Sequence, residues 1–244
     1  MQALLAAVAT CASAAFAVSV LLQYRARRRP YQLAWGVSLA MFAAASLTLT
    51  IGVAGHWTPV VFESYYLFGA ILTAPWLALG TMFLLAKRPA ALAYLVALGA
   101  FSVLAAVLLF GAHVSAADVG RAEVPEGRTF LPVAVRVLAV LGNVAGTVIV
   151  VGGALGSGLA LRRDARLRSR FQGNLLIAAG VLLAAGGGAF AFAGRSGGLA
   201  LALALGAAVM YLGFRRASAP VAPAGAAPAP GPGGEVPRPA GQQP

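Results

Sequence analysis

Apolar residues run along this chain about 20 at a time, and short polar segments interrupt them. The runs fall at roughly 3–23, 32–54, 65–86, 89–112, 131–160, 173–194 and 197–214. At 1.5 Å of rise per residue, about 20 residues cover the hydrocarbon layer of a bilayer. Inside lipid the backbone has no water to bond, so a helix or a closed barrel is required. The runs lack the strict alternation of barrel strands, and helices are therefore expected. The pattern predicts an all-α integral membrane protein with seven transmembrane helices. The fifth run is long enough to tilt or to reach past the bilayer.

The breaks between runs alternate in charge. Arg25, Arg27, Arg28 and Arg29 follow the first run, and Lys87 and Arg88 the third. Arg162, Arg163, Arg166, Arg168 and Arg170 follow the fifth, and Arg215 and Arg216 the seventh. The opposite breaks hold Arg121, Arg128 and Arg195 beside Glu63, Asp118, Glu123 and Glu126. Basic loops stay in the cytoplasm, which predicts an outside N-terminus and a cytoplasmic C-terminus. The first run has its basic cluster after the apolar core rather than before it. That flank is wrong for a secretory signal and right for a retained helix. Residues 1–216 therefore read as one transmembrane domain. The Ala-, Pro- and Gly-rich 217–244 reads as a disordered cytoplasmic tail. The break at 113–130 reads as a polar surface loop.

Composition narrows the class. With 60% hydrophobic residues, 10% charged residues and a mean hydropathy of +0.86, the chain is excluded from the soluble globular class. A net charge of +12 would suit a nucleic-acid binder, but the basic residues gather at the ends of apolar runs. No nucleic-acid partner is expected. Expected partners are the lipid bilayer and either a second copy or another membrane protein. Cys11 is the single cysteine, so no disulfide framework exists. Lys87 is the only lysine among 18 basic residues, and the chain is rich in Ala, Gly, Val and Pro. That bias fits a GC-rich bacterial genome and hence a bacterial plasma (inner) membrane.

Seven helices with the N-terminus outside can form two parallel triplets joined by an inverting fourth helix, a 3+1+3 repeat. Two echoes fit this plan. Tyr31-Gln32 follows the first basic break as Phe171-Gln172 follows the third. Leu77-Ala78-Leu79-Gly80 in the third run matches Leu203-Ala204-Leu205-Gly206 in the seventh. The layout resembles the sugar-transporter (SWEET) and PQ-loop families in helix count and orientation. Pro75-Trp76 stands nearest to their Pro-Gln signature, with Trp in place of Gln and no equivalent Pro in the seventh run. The resemblance implies a solute site near the midplane between the halves.

Few residues in the runs carry chemistry. Arg136 is the one charge within an apolar run. It either snorkels to the outer headgroups or serves a ligand or ion pair. Asn143, seven residues on, extends a polar stripe on the same helix face. Glu63 is the candidate counter-ion by depth. Pro75-Trp76 predicts a kink in the third helix, with Thr73 and Thr81 near the freed carbonyl. Trp57, Tyr65 and Tyr66 read as an outer aromatic belt. His56 and His113 are weak candidates for a metal or haem site, and no cofactor is expected. Gly142 with Gly146, and Gly152 with Gly156, give the fifth helix two small-residue patterns for close packing.

No nucleophile, Walker loop or metalloprotease motif occurs, so an enzyme is not expected. The leading expectation is a small-solute transporter or permease-like protein. The alternative is a non-enzymatic accessory or sensory membrane protein that binds a partner complex.

Overall fold

The computed structural model describes residues 2–121, 124–161, 168–192 and 196–217. Glu123, Arg162, Arg163, Arg166, Arg195 and the 218–244 tail lie outside the described residues, as do the side chains of Arg168 and Arg170. Among the described residues every regular element is helical. The long elements are α1 (Gln2–Arg27), α2 (Pro30–Ile51), α3 (Pro59–Tyr65), α4 (Thr73–Leu85) and α5 (Arg88–Phe110). Two single-turn helices follow, α6 (Ala116–Val119) and α7 (Gly127–Phe130). The chain then forms α8 (Val133–Leu161), α9 (Arg168–Phe192) and α10 (Ser196–Ala217).

Two π-helical segments extend these elements. Gly52–His56 continues α2, and Tyr66–Leu72 joins α3 to α4. Among the described residues six helical runs are long and apolar enough to cross a membrane: Ala3–Arg27, Pro30–His56, Pro59–Leu85, Arg88–Phe110, Val133–Leu159 and Gly198–Ala217. Within α9 the apolar part is shorter, Phe171–Gly187. Helices of this kind mark the chain as a multi-pass membrane protein.

Two residues connect α1 to α2. Arg28 takes a left-handed conformation (φ 51°), and Pro30 opens α2 with the fixed φ that a first helical turn accepts. The third span starts at Pro59 rather than near 65. Thr58 caps it, its hydroxyl accepting from the Val61 N–H at 3.3 Å, and Pro59 sits in the first turn. The apolar-run count placed that start too late because Glu63 and Ser64 interrupt the hydropathy without interrupting the helix.

Neighbour relations give the helices a circular order. α1 packs on α2, α2 on the third span, the third span on α8, α8 on α9, α9 on α10, and α10 back on α1. α5 stands outside this ring against α4 and α8, and is the least buried span. The closest pair is α9 with α10, where Gly173 and Gly180 meet Gly213 and Gly206 backbone to backbone. A Cβ added at Gly180 would lie 2.8 Å from the Gly206 carbonyl oxygen.

The fifth-helix glycines divide in two. A Cβ at Gly146 would fall 2.4 Å from the carbonyl carbon of Ala74, so α8 touches the third span there. Gly152 and Gly156 face open space, so the second small-residue pattern is not a packing seam within the bundle.

Segment 113–130 is more than a polar loop. Val119 is buried in the cluster built around Phe62, Trp57, Ile71, Leu109 and Val135, and Val114, Val124 and Phe130 pack against it. The aromatic residues at this end are likewise core rather than belt. Trp57 is only 6% exposed and covers Gly52, while Tyr65 meets Trp57 and Phe130 meets Phe62 edge-on, with Tyr66 tilted against Phe62. Together they cap the loop end of the bundle. The opposite end carries exposed Arg25, Arg27, Arg28, Arg29, Lys87, Arg88, Arg215 and Arg216.

Candidate functional site

The third span shapes the middle of the bundle. Pro75 has no N–H to give to Ile71, and its ring would clash with that carbonyl in a regular helix. The wider π-helical turns of Tyr66–Leu72 absorb the mismatch. The Phe68 carbonyl accepts from both the N–H and the hydroxyl of Thr73. Side chains from neighbouring helices then bind carbonyls around the proline. Ser38 of α2 donates to Thr73 O at 2.8 Å, Trp35 Nε1 to Leu77 O at 3.2 Å, and Tyr94 of α5 to Pro75 O at 3.2 Å. The expected irregularity at Pro75 is present, and it lies on the N-terminal side of the proline, over Tyr66–Leu72.

Beside this irregular span lies a cavity of about 80 Å³ on the bundle axis. Ser38 of α2, Gly69 and Thr73 of the third span, and Asn143 and Thr147 of α8 form its polar side. Val181, Ala184 and Ala185 of α9 and Leu203 of α10 close it. A second cavity of about 60 Å³ lies toward the basic end, with Thr81, Ser157 and Asn174 as its polar groups. Leu39, Leu77 and Met210 border both. They form an apolar layer between two polar ones. No charged side chain lines either cavity among the described residues.

The polar groups are partly satisfied within the protein. Thr147 donates to Asn143 Oδ1 at 3.4 Å, and Asn174 Nδ2 donates to Ser157 Oγ at 2.9 Å. The Ser157 hydroxyl in turn donates to the Gly153 carbonyl at 2.7 Å. The Asn143 amide N–H groups and the Asn174 carbonyl oxygen have no protein partner among the described residues. Neither atom is sealed from solvent, so each is open to its cavity, where a ligand or water can pair with it.

Of the residues singled out by sequence, Asn143 and Thr73 line the larger cavity and Thr81 the smaller one. Arg136 lies nearer the loop end, half-buried, with its Nε shielded from solvent and without a hydrogen bond. It sits within electrostatic range of Tyr66. Glu63 is buried at 7% exposure and makes no ion pair with Arg136. The described acids of the loop face other partners, Asp118 with Arg121 at 3.8 Å and Glu126 with Arg128 at 3.7 Å. Pro75 is buried against α8. Trp76 turns away toward α5, its indole donating to Ser102 at 3.3 Å. His56 and His113 are both exposed. Among the described residues no group of three potential metal ligands comes together.

Sequence reasoning passed over Ser38, Thr147, Ser157 and Asn174. Their signal was available: isolated hydroxyl and amide side chains in apolar helices, each costly unless it faces a partner or a wet space. What was missing was the rotation of each helix about its axis.

Comparison of the chain with protein-family models, curated proteins and solved structures finds no match. The resemblance to the SWEET and PQ-loop families therefore rests on layout alone.

Proposed function

We propose that this protein is a small-solute transporter or permease-like protein of a bacterial plasma membrane, with its N-terminus outside and its basic end in the cytoplasm. The observation that carries the reading is the polar-lined cavity on the axis of the helix ring, walled by α2, the third span, α8, α9 and α10. An apolar layer separates it from a second polar pocket nearer the basic end. A solute site midway along the bundle, bounded on one side by an apolar layer, is what alternating access requires.

The order of contacts also supports the two-triplet plan. Exchanging the first three spans with α8, α9 and α10 maps the ring onto itself and leaves α5 as the odd helix. Gly80 and Gly206, the matched glycines, each face the preceding helix of their own triplet. Gly80 receives the Trp35 ring of α2, and Gly206 meets Gly180 and Ala184 of α9. The Tyr31-Gln32 and Phe171-Gln172 echo adds nothing, because Gln32 is buried and Gln172 is exposed.

We read the protein as non-enzymatic, since among the described residues the cavity walls offer hydroxyls, amides and apolar groups but no acid, base or thiol. The test is reconstitution into proteoliposomes and measurement of osmotic or tracer uptake for a panel of sugars, polyols, amides and amino acids. At least one solute is expected to enter faster than in empty vesicles, with Asn143→Ala slowing it severalfold at unchanged thermal stability. Equal uptake by mutant and wild type across the panel rejects the reading.

A further inference from the structure

The size and lining of the central cavity narrow the solute class, on the premise that the protein is a transporter. Space of 80 Å³, at roughly 10–15 Å³ of such space per water, holds on the order of five to eight waters. A molecule of about that many heavy atoms fills it. The wall then selects for charge. Among the described residues it presents no carboxylate, ammonium, guanidinium or imidazole. An ion entering would leave its hydration with no opposite charge to replace it, a loss of several kcal/mol.

The hydrogen-bonding groups suit a neutral guest. Asn143 has amide N–H donors without protein partners, while the Thr147 and Ser38 oxygens keep acceptor capacity after donating to Asn143 and Thr73. Both polarities therefore occur on one wall. Across Leu39, Leu77 and Met210, the second pocket repeats the offer with the open carbonyl oxygen of Asn174. The apolar layer would strip water from the guest, and the polar groups on either side would replace it.

We propose that the central cavity binds an uncharged solute of urea or glycerol size that carries both donors and acceptors. In this scheme Leu39, Leu77 and Met210 are the barrier it crosses toward the basic end.

Stopped-flow light scattering of proteoliposomes tests this with urea and its charged isostere guanidinium, and with glycerol and its longer homologue arabinitol. Urea or glycerol is expected to cross at least fivefold faster than in empty vesicles, with guanidinium and arabinitol at the background rate. Asn143→Leu should lower that flux at least fivefold, and the gentler Thr147→Val should lower it less while keeping the fold. Met210→Ala, which thins the barrier, should admit arabinitol. Gly152→Ala, on the open side of α8, should change nothing. Flux of guanidinium or arabinitol through the wild type overturns the proposed solute class yet upholds a transporter. Background rates for both urea and glycerol overturn it too, and the wider solute panel then judges the transporter reading separately. Full urea flux in both Asn143→Leu and Thr147→Val removes the cavity from the path.

Discussion

Two glycines six positions apart on α8 make opposite demands on the same helix. At Gly146 an added methyl meets the Ala74 backbone, which cannot give way without moving the third span. Overpacking of this kind costs about 1–3 kcal/mol. At Gly152 the methyl meets nothing, and replacing glycine inside a helix gains up to about 1 kcal/mol. Thermal melting in detergent should therefore show Gly146→Ala lowered and Gly152→Ala raised or level. A lowered Gly152→Ala would reveal a contact on that face. Arg136 supplies a second residue-scale prediction. Its Nε is buried without a hydrogen bond and it forms no ion pair among the described residues, so the charge contributes desolvation. Arg136→Met keeps the apolar stem and removes the charge, and should leave the melting temperature level or higher. A clear drop would show that the guanidinium is held by a partner. Asn143 was legible because seven residues make two helical turns, which fixed its face relative to Arg136. Glu63 was misjudged as a counter-ion because sequence gives depth along a helix axis and not the direction between helices.

The third span and the α9–α10 pair show what decides at the scale of elements. In the third span a proline sets the local problem, and the π-helical turns before it resolve it without breaking the helix. Three carbonyls near the bend accept from Ser38, Trp35 and Tyr94, so α2 and α5 hold the bend from two sides. Pro75 announced that irregularity in the sequence, but the donors lie on other helices and carry no local signal. Glycines at a spacing of seven, Gly173 and Gly180 on α9 and Gly206 and Gly213 on α10, bring two backbones together. Gly180→Val should force these helices apart and lower the melting temperature more than Gly186→Val, whose position faces open space. Equal effects would mean that propensity rather than packing sets the loss. The glycine spacing was visible in the chain; the many other Ala and Gly matches hid which pair it served.

At the scale of the molecule, charge placement predicts orientation and packing determines enclosure. With Cys11→Ala as background, Ser115→Cys should react with a membrane-impermeant maleimide added to intact cells, and Lys87→Cys should react only after permeabilisation. The reverse pattern would invert the topology. Run lengths and loop charges were legible because hydropathy and charge are one-dimensional. The circular order of helices was not, because contacts such as Phe16 with Tyr211 and Phe214 join residues nearly the whole chain apart. That joining of first and last helices bears on biogenesis. Ser13, Gln32 and Ser46 are buried side chains of α1 and α2, helices that leave the ribosome long before α10 exists. Until α10 inserts and docks on α1, the wall it completes stays open to lipid or to an insertion chaperone. A chain truncated before Ser196 should consequently be degraded in the cell even though most of its spans have been made.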